Sequence, residues 1–335
     1  MAPLRISVVG AGLMGRFHAR AVSEQPRTEL ADVVDASPEA EAVAWERRAR
    51  WLRDVDELLE GPSLPDAAIV SVPTSDHAPV ALRLLQAGVP VLVEKPIAST
   101  LEEARALIDA ARAAGVTLAV GHVERFNPAV RALQERLRGD ELGRVFQIHA
   151  RRLSPFPRRI GDTGVAHDLA THDLDIMCRL AGTPVRISSE TDRKAHGTRE
   201  DLLAALLRFD SGAIGLLEVN WLTPTKVRQL TVTGERGMFV VDYLEQHLTL
   251  YENAQATERW PELDVFDGVT EGNVTRYAIP REEPIRAQLD AFVDAVLGDA
   301  PVAVTGEEGL QVLELALAAI EANGRTIELA ATTVS

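Results

Sequence analysis

The segment 5-RISVVGAGLMGRFHAR-20 constrains the fold more than any other. A β-branched apolar run passes into 10-GAGLMG-15, and a helical pattern begins at once. Glycines spaced G-x-G-x-x-G between a strand and a helix are what a dinucleotide-binding βαβ unit needs. Gly10 permits the tight turn, Gly12 lets backbone approach a pyrophosphate, and Gly15 lets the helix lie close to the sheet. The pyrophosphate would then sit on the positive end of that helix, beside Leu13 and Met14.

Asp35 ends the next apolar run, 20 positions past the last glycine. Its carboxylate suits the adenosine ribose hydroxyls and repels a 2′-phosphate, which predicts NAD rather than NADP. No arginine follows in 35-DASPE-39 to neutralise a further phosphate.

The first 120 or so residues alternate short apolar runs (5–9, 30–35, 67–72, 90–94, 116–121) with helical patterns near 15–24, 38–49, 76–87 and 100–114. Strands too apolar to have a wet face predict a parallel sheet covered by helices on both sides. Thr100 with Glu103, and Thr305 with Glu308, read as capping boxes. Beyond residue 122 the runs lengthen and alternate (144–153, 203–210, 213–222, 228–234), with turn signals at 210-DSG-212 and 234-GERG-237. The fold class is therefore α/β, a Rossmann domain over 1–121 followed by an α/β domain over 122–335 with a large open mixed or antiparallel sheet. Helical patterns at 283–297 and 305–322 close the chain, and a helix from this part is allowed to pack back on the first domain.

Composition removes several functions. Asp plus Glu number 50 against 35 Lys plus Arg, a formal charge of −15, so a nucleic-acid backbone would be repelled. The lone cysteine, Cys178, leaves no intramolecular disulfide or cysteine metal cluster, which suits a reducing, cytoplasmic setting. No apolar run approaches a spanning helix, and MAPLRISVVG enters a strand pattern without a leader, so no membrane partner is expected.

Two short motifs carry chemistry. The fifth apolar run ends in 94-EKP-96, and 164-GVAHDLATHDLDIM-177 holds 168-DLATH-172, a D-x-x-x-H motif. In a helix, Asp168, His172 and Asp175 fall on one stripe. Asp173 lies among Leu169, Ile176 and Leu180, where a hydrogen bond to buried backbone is as good a reading as a functional one.

This combination resembles the Gfo/Idh/MocA oxidoreductases over essentially the whole chain. The resemblance implies a Rossmann domain followed by an open-sheet domain, with the lysine of E-K-P and the histidine of D-x-x-x-H facing the reactive carbon of a sugar or polyol. Here those are Lys95, Asp168 and His172. The runs 121-GHVERFNP-128, 154-SPFPRRIGDTGV-165, 168-DLATHDLDIM-177 and 220-NWLTPTKVRQLTVTGERGMFVVDYLEQHL-248 look like the UDP-N-acetylglucosamine 3-dehydrogenase branch, whose members oxidise the sugar C3 hydroxyl with NAD.

Oxidising a secondary alcohol needs a base within hydrogen-bond reach of the hydroxyl. The unperturbed value of a histidine already lies near neutrality, so His172 is the expected base, with Lys95 polarising the oxygen; the sequence leaves the reverse assignment open. Asp168 would orient the imidazole or contact a substrate hydroxyl. Arg125, Asn127, Arg158, Arg159, Lys226 and Arg228 cluster in the nucleotide-sugar-like runs and suit a diphosphate. Val72, Pro73, Thr74 and His77 after the third strand, with Glu94 and Lys95, are expected to line the cofactor. Hydride transfer to NAD needs no metal, and none is assigned to His167, Asp168 and His172. Alternative readings are a 3-keto-nucleotide-sugar reductase or inositol (cyclitol) dehydrogenase, and a non-catalytic NAD-binding sugar sensor. The open sheet face suits a homodimer or homotetramer, as is common among such proteins.

Overall fold

The structure is a computed structural model, and it describes residues 2–157, 163–195, 199–255 and 269–329. They divide into two compact units. One comprises the residues up to Val123 together with Glu283–Leu317, and the other comprises Glu124–Glu282 with the chain from Ala318.

The first unit alternates strand and helix: β1 (Leu4–Val9), α1 (Leu13–Glu24), β2 (Thr28–Val34), α2 (Glu39–Glu46), β3 (Arg50–Leu52), α3 (Val55–Leu59), β4 (Ala67–Val70) and α4 (Thr74–Gln86). β5 (Val91–Glu94), α5 (Leu101–Ala114) and β6 (Leu118–Gly121) complete the alternation. Every pairing is parallel, in the order β3-β2-β1-β4-β5-β6. The order reverses between β1 and β4, and the crevice at the carboxyl ends of such a switch is where open α/β sheets take ligands. β4, β5 and β6 are buried at every position, as a sheet with both faces covered must be. β3 and α3 fall in a stretch that carries too short an apolar signal to read. α3 is set instead by Asp54, whose carboxylate accepts the Glu57 N–H at 3.0 Å.

Both capping boxes form. The Glu103 N–H donates to Thr100 Oγ1 and the Thr100 N–H to Glu103 Oε2. Thr305 and Glu308 repeat the exchange. Residues 283–297, counted from sequence within the second domain, cluster with the first. Ile285, Leu289, Phe292 and Val293 of α8 (Pro284–Leu297) join the core of Ile6, Val8 and Val22, because burying that apolar stripe against α1 and the sheet removes it from water.

The second unit holds α6 (Pro128–Arg138), β7 (Val145–Pro155), α7 (Thr171–Ala181), β8 (Pro184–Asp192), β9 (Leu202–Phe209), β10 (Ile214–Asn220), β11 (Leu222–Gly234), β12 (Gly237–Asp242), β13 (His247–Gln255) and β14 (Val269–Arg276). After α9 (Gly306–Ala322), β15 (Thr326–Glu328) adds the last strand. The sheet order is β14-β13-β12-β11-β7-β10-β9-β8-β15, antiparallel except for β7 with β10. The sequence predicted a mixed or antiparallel sheet and located four of these nine strands. Alternating burial along β9, β10 and β12 leaves one face covered and the other partly open. α6 went unread, although its signal is local: Asn127 caps it by accepting the Ala129 N–H, and Pro128 occupies the first turn.

Candidate active site

The glycine turn fits the assignment made from its spacing. Gly10 has φ +94°, and a Cβ there would lie 2.7 Å from the backbone of Ser71 and Val72. A Cβ on Gly15 would lie 1.8 Å from the Gly10 carbonyl oxygen, so β1 and α1 approach this closely only with glycine. Nothing lies within 4 Å of a Cβ on Gly12, and that open space is where a pyrophosphate would approach. α1 begins there with no side-chain cap and no acid in its first turn, so its leading N–H groups face no competing protein anion on the helix. Leu13 is exposed and Met14 half-buried.

Asp35 is held from two sides. One carboxylate oxygen accepts the Ala11 N–H at 2.6 Å and the other the Ser37 N–H at 2.8 Å, which fixes it beside the glycine turn with lone pairs to spare for a ribose diol. Asp35→Ala should therefore weaken NAD binding about tenfold and leave NADP binding unweakened, as read by titrating each cofactor. Equal losses for both cofactors would refute the ribose assignment.

Lys95 follows β5 and is half-buried. Glu94 before it is buried against Gly121 of β6, its register partner, where a Cβ would come within 3.1 Å of the carboxyl group. Its Oε1 lies 2.8 Å from His18 Nε2, and its Oε2 accepts the Lys95 backbone N–H at 3.2 Å. Burial alone would raise the Glu94 carboxyl; the His18 hydrogen bond and the neighbouring charges outweigh it and hold the group below its ordinary value. His18 escaped the sequence reading, yet it stands with Gly15, Ala19 and Val22 on the buried stripe of α1. A histidine on an apolar stripe signals a buried partner.

His77, expected to line the cofactor, is 2% exposed, with Nδ1 2.8 Å from the Pro96 carbonyl oxygen and Nε2 3.0 Å from that of Val72. Burial pushes its imidazole below the usual value. A neutral ring donates to one of these two carbonyls only. Val72 and Thr74 are half-buried and Pro73 exposed at the start of α4.

In the second unit the D-x-x-x-H motif does not lie on a single α-helix. Ala166–Ala170 form a π-helical turn, and α7 takes over at Thr171. Asp168 belongs to the π turn and His172 to the first turn of α7, and both are half-buried. The α-helical stripe expected from sequence is therefore broken between them, at the kind of widened turn that often accompanies functional sites.

Asp175 leaves that stripe altogether. It is 1% exposed and receives Arg125 through Nε at 2.8 and 3.0 Å and through one Nη at 2.5 Å. Asp173 meets a guanidinium rather than buried backbone: Arg152 of β7 donates to it through Nε at 2.6 Å and Nη2 at 3.1 Å, with Nη1 3.0 Å from Glu124. Burial would lower the Arg152 guanidinium, but Asp173 and Glu124 hold it up. These buried pairs fasten α7 to β7 through Arg152 and to the turn at Val123–Phe126 through Arg125, and so fix the helix that carries His172. Asp173→Ala leaves Arg152 buried without its main counter-ion and should cost about 3–5 kcal/mol of stability in urea unfolding.

Of the expected substrate contacts, Arg125 and Asn127 are both buried. Asn127 caps α6 and donates to the Tyr243 carbonyl oxygen at 3.1 Å. Arg228 is half-buried on β11, its Nη1 donating to the Leu153 and Val227 carbonyl oxygens at 2.8 and 2.9 Å. Burial, then the Arg152 charge, pushes it down to about 10, while Asp173, Glu124 and Asp168 pull the other way, so Arg228 and Asp168 share one electrostatic neighbourhood. It remains a cation at neutral pH. Lys226 is exposed on the same strand, and Arg158 and Arg159 lie outside the described residues.

Known proteins share this architecture along its length. Residues 4–122 match the family described as "Oxidoreductase family, NAD-binding Rossmann fold", and residues 130–240 match the "GFO/IDH/MocA C-terminal domain". The UDP-N-acetylglucosamine 3-dehydrogenase of Acidithiobacillus ferrooxidans is 31% identical over 95% of this chain and 96% of its own. A solved structure of that enzyme superposes with TM-score 0.82 at 30% identity, covering 96% of this chain and 98% of that one. The scyllo-inositol 2-dehydrogenase (NAD(+)) of Bacillus subtilis is 28% identical over 97% of this chain and 96% of its own. With both halves matched in order and the glycine turn intact, the chain belongs to the Gfo/Idh/MocA family and is an NAD-binding oxidoreductase.

Proposed function

We propose that the protein oxidises the C3 hydroxyl of a UDP-N-acetylhexosamine such as UDP-N-acetylglucosamine, giving the 3-keto nucleotide sugar. The observation that carries this reading is the 31% identity to a UDP-N-acetylglucosamine 3-dehydrogenase along nearly the whole of both chains. NAD, when bound, accepts the hydride released from the carbinol carbon. Gly10, Gly12, Gly15 and Asp35 hold that cofactor, with Leu13, Met14, Val72, Pro73 and Thr74 along its path.

The remaining chemistry falls to this chain's side chains. His172 takes the hydroxyl proton as the C–O double bond forms, and Lys95 stabilises the charge that develops on oxygen. Asp168, one turn before His172, orients the imidazole or accepts from a neighbouring sugar hydroxyl. Arg228 and Lys226 meet the diphosphate. Arg125 and Asn127 act from within the unit, since their polar groups are already engaged by Asp175 and the Tyr243 carbonyl oxygen. The half-open sheet face, on which Leu206 is 47% exposed, supports a homodimer or homotetramer. No described helix is long and apolar enough to cross a membrane.

An inositol dehydrogenase is the second reading, favoured by the 28% identity to an inositol-oxidising enzyme over a similar span. The two differ in charge: a diphosphate would give Arg228 and the exposed Lys226 an anionic partner, which an uncharged cyclitol does not. Purified protein with NAD should release NADH from UDP-N-acetylglucosamine and not from myo- or scyllo-inositol. Release from inositol alone would replace the first reading by the second.

A further inference from the structure

The residues on either side of Lys95 are each held by an imidazole, and one of the two, His18, is not marked as functional by the sequence. His18 reaches from α1 to Glu94, whose second carboxylate oxygen accepts the Lys95 N–H. His77, from α4, holds the carbonyl of the next residue, Pro96. The His18 ring is 1% exposed, so the link to Glu94 is shielded from water, and its Nδ1 has no hydrogen-bond partner. With Nε2 as donor, Nδ1 is a bare acceptor; this tautomer leaves no buried N–H unpaired, which would cost more. Glu94 thus stands as a buried anion one residue from the ammonium that Lys95 carries.

We propose that His18 is a positioning residue for Lys95: by donating to Glu94 it keeps an ionised carboxylate beneath the lysine, which fixes the lysine's backbone and supplies the counter-charge for its ammonium. The proposal rests on the reading of Lys95 as a group acting on the substrate oxygen. It assigns His18 no contact with substrate.

The titratable groups acting on Glu94 are His18 from α1, His77 from α4 and Lys95. Remove the His18 donor and burial dominates, so the carboxyl takes up a proton at higher pH than in the parent protein. The consequence has a definite sign. In His18→Leu, kcat falls as pH drops and recovers as pH rises, along an acid limb that lies at higher pH than any due to Glu94 in the parent.

The test uses the full chain with NAD and UDP-N-acetylglucosamine. His18→Leu should lose roughly tenfold or more in kcat at pH 7, with the KM for NAD little changed and the new acid limb in its profile. His18→Gln, whose amide N–H replaces Nε2, should recover most of the loss and lack the limb. Glu94→Gln should be slow at every pH, with no limb to recover on, and decides the matter if His18→Leu does not fold. Parental kcat in Glu94→Gln, or a His18→Leu protein whose kcat, NAD affinity and melting temperature fall together on an unchanged pH profile, overturns the proposal.

Failure of the underlying reading looks different, because Lys95→Ala would then keep its turnover. If the sugar nucleotide is not oxidised at all, the inference is still decided by 13C signals of the lysine side chains. Lys95, Lys194 and Lys226 are the chain's only lysines. The Lys95 signal alone should move in His18→Leu, and an unmoved signal overturns the proposal.

Discussion

Replacing Lys95 or His172 by alanine lowers kcat at least about a hundredfold and leaves NAD binding intact, the loss usual for a positioned acid, base or electrostatic group. Two features of the chain point to an effect of this size. A positive charge here is nearly always an arginine, since only positions 95, 194 and 226 are lysine among 35 basic residues. A guanidinium stays protonated under almost any condition, so a lysine kept after β5 gives what an arginine cannot: a compact point charge that can also exchange a proton. A histidine is the side chain whose unperturbed value already lies near neutrality, which suits position 172 to a proton exchange.

The double variant separates the two roles. If both groups act on one hydroxyl in one transition state, losing the second costs much less than losing the first, because residues acting as a unit are not additive. Stopped-flow or steady-state NADH production reads this directly. Parental turnover in both single variants would remove the mechanism.

Much of the first unit was legible because its information is local. The glycine spacing, the apolar strands and the Thr100 and Thr305 boxes are written in adjacent residues, and the structure realises them. What the sequence hid depends on partners far along the chain. Asp173 finds Arg152 at a separation of 21 residues and Asp175 finds Arg125 at 50. A period-3.6 reading puts Asp168 and Asp175 on one stripe and Asp173 on the apolar face, but does not say which carboxylates have a guanidinium waiting elsewhere in the fold. The π turn is invisible for a similar reason, since widening a turn by one residue leaves no compositional trace. His18 and Glu94, 76 residues apart, are each unremarkable until the fold brings the α1 side chain to the carboxyl end of β5. The edge strands of the large sheet were missed because each is short of apolar residues and is specified by a neighbour it has yet to meet.

Gly15→Ala should abolish measurable NAD binding or weaken it at least about a hundredfold, while Gly12→Ala weakens NAD without destabilising the fold. The two glycines are three residues apart and do different physical work. An alanine Cβ at position 15 would stand 1.8 Å from the Gly10 carbonyl oxygen and 2.9 Å from Ser71 Oγ. Backbone oxygen cannot yield as a flexible side-chain tip can, so α1 must move away from β1 by more than an ångström. That displaces both the leading N–H groups of α1 and the Ala11 N–H that anchors Asp35. A shift of about 1 Å in a positioning element is enough to cost about a hundredfold. At position 12 a Cβ meets nothing within 4 Å, so the free protein has no reason to melt earlier. The methyl group instead occupies the space a pyrophosphate would enter. Thermal melts and NAD titrations of the two variants therefore separate steric demand inside the protein from steric demand of the cofactor. A Gly12→Ala protein that binds NAD as tightly as its parent would mean that the pyrophosphate lies elsewhere.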